Sequence, residues 1–313
     1  MSTTDSTAIP DSSPEPQAGG PRTSQALPSP ARLAYWSLRR ELWENRWIYI
    51  VPLIVAAVFL FGFSIVVMRV PFMKIVGLPS GPARVLERPF DLASDVLMLT
   101  YVVVTVIYCC AALHNERQDR TILFWKSLPV SDLTTVLAKA SIPVIALPLI
   151  TFAVIVCTQG LMSLIGSAIL LARGASPGAL WAQVPLPTLW LAMLYHLITM
   201  HALYYAPFYG WFLLVSGWAR RATFLWATLP VVAVLVLEKL VFDSSAFAHI
   251  LLTQLGGGPA ALPFPPPHNM PMEAPTLANL GAFLASPGLW IGFAVCALFL
   301  AAAVRLRRYQ GPI

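Results

Sequence analysis

Six long apolar stretches constrain the fold of this chain more than any other feature. They cover roughly residues 48–68, 96–113, 142–165, 189–215, 223–242 and 288–304. Five of them contain no Asp, Glu, Lys or Arg, and the stretch 223–242 contains only Glu238 and Lys239, near its end. A helix of about 20 apolar residues crosses the hydrocarbon core of a bilayer, where charged side chains are costly. The pattern therefore predicts an all-α membrane protein, a bundle of six transmembrane helices.

The composition excludes a soluble globular domain. Only 11% of the 313 residues are charged, whereas soluble domains carry about a quarter. The net charge of +6 does not indicate a nucleic-acid partner, because the charges lie between the apolar stretches. All four cysteines lie inside those stretches, which favours small buried side chains over disulfides or metal ligands.

The chain divides into a tail, a membrane domain and a short C-terminal end. Residues 1–30 are rich in Ser, Thr, Pro and Gly and lack aromatic residues, so they predict a disordered tail. Residues 31–308 form the predicted transmembrane domain, and residues 309–313 the C-terminal end. The segment 243–287 contains no Lys or Arg and is rich in Gly and Pro. It is the largest predicted external segment, and its second half can re-enter the membrane only if protein buries its backbone.

Residues 31–47 have the pattern of an interfacial amphipathic helix. Three tryptophans share a narrow sector of the helical wheel, and arginines lie beside them, while Glu41 and Glu44 fall on the far side. These residues are Trp36, Trp43, Trp47, Arg39 and Arg46. Tryptophans at headgroup depth with arginines near lipid phosphate are typical of helices lying on a bilayer. A plain cytosolic helix is the alternative.

The distribution of Lys and Arg predicts the orientation. Fourteen of the 20 lie in 1–47, 114–141, 216–222 and 305–313, and six lie in the intervening segments. Cytoplasmic loops carry the excess of basic residues. The bias places both termini in the cytoplasm, and this arrangement requires an even number of spans, as six is. A bacterial inner membrane suits this layout.

The segment 114–141 is the most informative of the predicted cytoplasmic segments. Glu116, Arg117, Asp119 and Arg120 form a compact charged group at the membrane exit, and the apolar run 122–125 follows. Pro129 then breaks the chain, and Ser131 or Asp132 can cap the next helix. A short helix with exposed aromatic residues and flanking basic charge is suited to docking into a partner's groove. The alternative is a helix that lies on lipid.

Motifs for enzymatic chemistry are missing from the sequence. It contains no GxxxxGK[ST], HExxH or GxSxG motif, so we expect no ATPase site, no metal site and no catalytic residue in this chain. His196 and His201 are five residues apart, which places them on different faces of an α-helix. We interpret each as a histidine bonded inside the bundle or facing a cavity.

The layout and the loop motif resemble the membrane subunit of type-two ATP-binding-cassette exporters. The resemblance is carried by the amphipathic helix before the first span, by ERQDRTILFWKSLPVSD followed by a lysine, and by the extended external segment before the last span. It covers about residues 31–308. The Pro-rich external loop and the Pro/Ser-rich tail depart from better-known members of the family.

The resemblance implies a cytoplasmic coupling helix near 119–128 that contacts a separate ATPase subunit. Its coupling residues would be Glu116, Arg117, Arg120, Phe124, Trp125 and Lys126, with Glu116 holding a charged network at the base. A second permease chain, identical or different, would complete the translocation path. ATP and Mg²⁺ would be bound by the partner ATPase, so this chain itself is expected to hold no cofactor.

Two further questions stay open from the sequence. Tyr101, Thr105 and Tyr108 share one face of the second span, which fits either a substrate path or ordinary helix packing. The alternatives to an exporter permease are a membrane-embedded carrier or enzyme that uses His196 and His201, and a non-transporting membrane scaffold. A carrier or enzyme would need these histidines to converge with an acid.

Overall fold

The computed structural model describes residues 30–69, 82–123, 130–174, 176–178, 181, 184–255 and 277–311. Within these residues the chain is helical and contains no strand. Six helices are long and apolar enough to cross a membrane, namely Trp47–Arg69, Arg88–Gln118, Asp132–Ala172, Leu186–Tyr204, Thr223–Phe242 and Pro287–Tyr309. We call them spans 1 to 6. The prediction of an all-α protein with six membrane-spanning helices is confirmed, and the protein is a multi-pass membrane protein.

Shorter helices surround or extend the spans. An N-terminal helix, Pro30–Glu44, precedes span 1. Span 2 consists of the helix Pro82–Ala112 from Arg88 onward and of the short helix His114–Gln118. The helix Ala206–Trp218 continues span 4, and we count it as part of that span from here on. The helices Ala246–Leu255 and Leu277–Leu284 lie between spans 5 and 6. The predictions for the tail, 1–29, and for much of 243–287 fall outside the described residues.

Span 3 begins at a capped helix end and then changes its helix type. Ser131 is the N-cap, and its side chain accepts a hydrogen bond from the Thr134 N–H. The helix Asp132–Ser141 leads into a π-helical segment, Ile142–Ala146, before the α-helix Leu147–Ala172. Pro143 and Pro148 lack the N–H groups that an α-helix needs. The π-helical segment therefore lies where the two prolines interrupt the α-helical hydrogen bonds.

Span 4 contains a second π-helical segment, Leu197–Tyr204, between Leu186–His196 and Ala206–Trp218. The Tyr205 N–H donates to the Met200 carbonyl at 3.0 Å, five residues back. Pro207 follows this segment and cannot donate to the Leu203 carbonyl. Such π-helical turns are rare and often lie at functional sites.

Spans 4 and 6 approach each other closely at glycine residues. A Cβ atom at Gly210 would lie 3.2 Å from the Cys296 carbonyl oxygen, and one at Gly292 would lie 3.1 Å from the Pro207 ring. The missing side chains therefore allow the two backbones to pack together, as small residues do between membrane helices. This contact brings the end of span 6 close to the ends of spans 2 and 4.

Candidate functional site

Charged side chains from four helices meet at one end of the bundle. We call this group the charged cluster and the end that carries it the cluster end. Its members come from the N-terminal helix, the last turn of span 2, the first turns of span 3 and the last turn of span 6. They are Arg40, Glu41, Glu116, Asp132, Lys139 and Arg307.

Lys139 lies at the centre of the charged cluster. Its Nζ atom lies 2.8 Å from Glu41 Oε1 and 3.1 Å from Glu116 Oε1. Glu41 is 1% exposed and Lys139 is 2% exposed. A charge this deeply buried is stable only when it is paired and hydrogen-bonded. Lys139 therefore joins the N-terminal helix to spans 2 and 3.

Arg307 closes the other side of the charged cluster. Its Nη1 atom donates to Glu116 Oε2, and its Nε atom donates to Asp132 Oδ1 at 3.1 Å. Glu116 is thus ion-paired with Lys139 of span 3 and accepts a hydrogen bond from Arg307 of span 6. Two Glu, one Asp, two Arg and one Lys give the six members a formal charge of zero. Glu41, Glu116, Lys139 and Arg307 are buried and Arg40 and Asp132 partly so, a burial that this balance favours.

The N-terminal helix contributes the least expected member, Glu41. The sequence placed Glu41 on the side of this helix opposite its aromatic face. In the structure, the side that carries Glu41 packs onto the bundle. Tyr108 of span 2 donates its hydroxyl proton to Glu41 Oε1 at 3.0 Å. Glu44, one turn later, lies 3.4 Å from Arg40 Nε. Partial burial raises the pKa of the Glu44 carboxyl, and the neighbouring Arg40 opposes this effect.

The partners of Glu116 differ from those expected. The sequence analysis grouped Glu116 with Arg117 and Arg120. In the structure, the carboxylate oxygens of Glu116 contact Lys139, Arg307 and, at 3.7 Å, Arg40. Residues next to Glu116 in sequence leave the helix on other faces, whereas the beginning of span 3 and the end of span 6 lie directly beside it. The charged partners of Glu116 therefore come from other helices and not from the residues that follow it in sequence.

Arg117 instead connects span 2 to the end of span 4. Its Nη1 atom donates to the Gly217 carbonyl at 2.6 Å, and its Nε atom donates to the Gly311 carbonyl at 3.3 Å. The N–H groups of Leu113 and His114 donate to Ser216 Oγ at 2.9 and 3.0 Å. The cluster end of span 2 is thereby fixed on both sides.

The helical end of span 2 is interrupted at Arg120. Arg120 is exposed and has a left-handed backbone, with φ of 57°. This conformation ends the helix, and it is unusual for a residue other than glycine. A new helical turn begins at Thr121, and Ile122 within it is buried. Phe124, Trp125 and Lys126 lie outside the described residues, so their assignment as docking residues stays a prediction.

A second buried polar group lies deeper in the bundle. The Tyr101 hydroxyl donates to the Pro143 carbonyl at 2.9 Å and lies 2.9 Å from the Tyr209 hydroxyl, which donates to the His201 carbonyl. Both accepting carbonyls belong to the π-helical segments of spans 3 and 4. The two tyrosines thus donate hydrogen bonds to backbone carbonyls in the irregular turns. Lipid hydrocarbon could not donate such bonds.

His196 and His201 lie side by side, which corrects the expectation from their spacing. Their ring centroids are 5.1 Å apart, and the His201 ring lies 5.0 Å from the ring of Tyr101. In an α-helix, residues five apart point in different directions, but the i→i+5 hydrogen bonding of a π-helix brings them onto one face. Both histidines are buried.

The three proposed path-lining residues all lie inside the helix bundle. Tyr101, Thr105 and Tyr108 are buried, and both tyrosine hydroxyls bond to neighbouring elements. These contacts are those of helix packing, and the lining of a path by these residues stays a prediction.

The aromatic face of the N-terminal helix points away from the bundle. Trp36 and Trp43 are about half exposed or more, and the Arg39 guanidinium lies 5.1 Å from the Trp36 ring and 5.4 Å from the Trp43 ring. Arg46 is exposed and Trp47 is partly buried at the start of span 1. Contact of these side chains with a membrane interface stays a prediction.

Within the described residues no group of three or more His, Cys, Asp or Glu side chains is placed to hold a metal ion. The His196–His201 pair therefore has no third protein ligand there. No protein-family model matches this chain, and no curated protein matches it either. The assignment of a function consequently depends on the geometry of the two buried groups.

Proposed function

We propose that this chain is the permease subunit of an ATP-binding-cassette transporter of the type-two exporter class. It works with a second permease chain and with separate ATPase subunits that bind ATP and Mg²⁺. The protein lies in a bacterial inner membrane with both termini in the cytoplasm, so the cluster end is the cytoplasmic end. The N-terminal helix lies on the cytoplasmic surface of the bilayer.

The charged cluster is the observation that supports this proposal most directly. It holds both flanks of the 119–131 segment, through Glu116 on one side and Asp132 and Lys139 on the other. The same ion pairs reach the N-terminal helix through Glu41 and span 6 through Arg307. A partner that pushes on this segment would therefore displace several spans together, since buried ion pairs do not separate cheaply.

This arrangement assigns different roles to the two parts of the segment. Phe124 and Trp125 bind the ATPase, because buried aromatic residues supply most of the affinity in many interfaces. Glu116 belongs to the buried base and transmits the motion. Arg120, which is exposed, and Lys126, which the sequence places in the predicted coupling helix, add charge at the rim. Charged residues at a rim steer association more than they strengthen it.

The test is purification of the tagged full-length chain from its native membrane. We expect a protein with a phosphate-binding loop to co-purify in equal amount, with ATPase activity. Phe124→Ala with Trp125→Ala should lower its recovery by roughly thirtyfold or more, as expected for the loss of about 2–4 kcal/mol. Leu133→Ala with Leu137→Ala is the matched control, because both leucines are exposed near the same end. Absence of such an ATPase from the wild-type preparation would refute the proposal.

Glu116→Gln separates docking from transmission. The variant should retain the ATPase in the complex while transport is lost or basal hydrolysis changes. Loss of the ATPase at equal permease level would instead place Glu116 in the docking surface.

One observation favours a second candidate, a carrier that uses intramembrane histidines. His196 and His201 are buried and adjacent, and ionisable side chains inside membranes often serve transport. However, the intramembrane acid that such a mechanism needs is not next to them in the described residues. A carrier would lose gradient-driven transport in His201→Gln, whereas an exporter permease would still require ATP and its partner ATPase.

A further inference from the structure

A groove of about 580 Å³ opens between span 2 and the beginning of span 5. Span 2 supplies one wall from successive turns, and Phe224 supplies part of the other. The residues of that first wall include Val102, Val106, Ile107 and Cys110. His114 and Asn115 line the groove at the cluster end. The groove is therefore apolar along its length and polar at one end.

The groove is long enough to cover one leaflet of a bilayer. Val102 and Asn115 are thirteen residues apart in one span, which corresponds to roughly 20 Å at the helical rise of 1.5 Å per residue. Half of a hydrocarbon core of about 30 Å is about 15 Å. An extended acyl chain of a single lipid therefore has room along span 2, with its polar end beside His114.

The polar end of the groove also carries positive charge. Ala222 lines the groove, and the two residues before it, Arg220 and Arg221, are exposed. The turn 219–222 contains no acidic residue. Ala222 has a left-handed backbone and offers no side-chain cap to span 5, so the first N–H groups of that helix add to the positive potential.

Two tryptophans place this turn at the level of lipid headgroups. Trp218 and Trp226 flank it, are about half exposed, and pack edge to face with ring centroids 5.1 Å apart. Tryptophans concentrate at the boundary between hydrocarbon and water. On the other side, His114 Nδ1 lies 3.2 Å from the Ala219 carbonyl oxygen and holds the rim of the groove in place.

We propose that this groove binds an anionic phospholipid, with one acyl chain along span 2 and its phosphate at Arg220 and Arg221. The apolar wall accounts for the chain, and the basic turn selects a negatively charged headgroup over a zwitterionic one. The inference does not depend on the transport function, because it rests only on the shape and charge of this surface.

The experiment uses the full-length chain, delipidated in detergent and titrated with phosphatidylglycerol or with phosphatidylcholine of the same acyl composition. Native mass spectrometry counts the bound lipids, and thermal melting reports stabilisation. We expect phosphatidylglycerol to bind more tightly and to raise the melting temperature more. Arg220→Gln with Arg221→Gln should weaken phosphatidylglycerol binding by about tenfold to thirtyfold, from the usual contribution of basic residues near anionic lipid.

Arg305→Gln with Arg308→Gln is the charge-matched control at the same end of the bundle, and it should change phosphatidylglycerol binding little. Val106→Trp should weaken binding by filling the groove while both arginines remain. Equal binding of the two lipids, or an unchanged affinity in the Arg220/Arg221 variant, would overturn the proposal. So would a change from dimer to monomer in Val106→Trp with phosphatidylglycerol binding intact, because a second copy of the chain would then occupy the groove.

Discussion

Replacement of Lys139 tests whether the charged cluster holds the bundle together. Lys139→Met keeps the length and apolar character of the side chain but removes its charge. Two carboxylates would lose a cation at 2.8 and 3.1 Å. Removal of one partner from a buried ion pair typically costs about 3–5 kcal/mol, because the other charge stays buried without compensation. We therefore expect a loss of this size in the free energy of unfolding.

The two carboxylates should not contribute equally to this loss. Glu116 still has Arg307 and, at 3.7 Å, Arg40 in the variant. Among the described residues, Glu41 keeps the Tyr108 hydroxyl, an Asn45 amide contact and Arg40 at 3.6 Å. Adding Glu41→Gln to Lys139→Met should therefore recover more stability than adding Glu116→Gln, which also removes a partner of Arg307. This order of rescue follows from the partners that each carboxylate retains in the structure.

The assay is SDS titration of the purified protein, monitored by tryptophan fluorescence. Lys239→Met is the control, because Lys239 pairs with Asp243 at 2.6 Å but both side chains are exposed. An exposed pair contributes about 0–1 kcal/mol. Equal effects of Lys139→Met and Lys239→Met would refute the reasoning, since the expected loss arises from the buried carboxylates that Lys139 neutralises and Lys239 has none. Equal rescue by Glu41→Gln and Glu116→Gln would refute the assignment of partners.

Three further predictions concern the membrane interior and the topology. Tyr101→Phe should lower the free energy of unfolding by about 1–3 kcal/mol, because the Pro143 carbonyl loses its buried donor. Thermal melting in detergent measures this loss, with Tyr35→Phe, at an exposed tyrosine, as the control. Equal melting temperatures of the two variants would show that this hydrogen bond is dispensable. Gly210→Ala should destabilise the protein by about 1–3 kcal/mol through overpacking against span 6, whereas Gly160→Ala, where a Cβ meets no atom within 4 Å, should be neutral or stabilising by up to about 1 kcal/mol. Alkaline phosphatase fused to the C terminus should be inactive, and activity there would contradict cytoplasmic termini.

The six spans were predictable because lipid imposes one simple requirement on every residue that contacts it. Side chains in hydrocarbon must be apolar over about 20 residues, and this leaves a direct trace in the sequence. The cap at Ser131 was likewise predictable, since it depends on neighbours within one turn. Local requirements of this kind do not need knowledge of the packing between helices.

The charged cluster depends on packing between distant segments and was mostly missed. Glu41 looked like a residue of a polar helix face, and nothing near Arg307 distinguishes it from Arg305 or Arg308. A usable signal was the position of Glu116 and Lys139 at the ends of consecutive spans, because charges at such positions need partners. The adjacency of His196 and His201 was missed for a different reason. The choice of π-helical over α-helical hydrogen bonding comes from prolines and tertiary contacts, which a helical wheel ignores.

The charged cluster also has a consequence for the order in which the protein is made. Its members range from residue 40 to residue 307, so it cannot close until span 6 has been synthesised and inserted. Before that moment the other five members carry three negative charges and two positive ones, and Glu116 and Asp132 lack their shared cation. An unfinished chain therefore differs electrically from a finished one at the membrane edge.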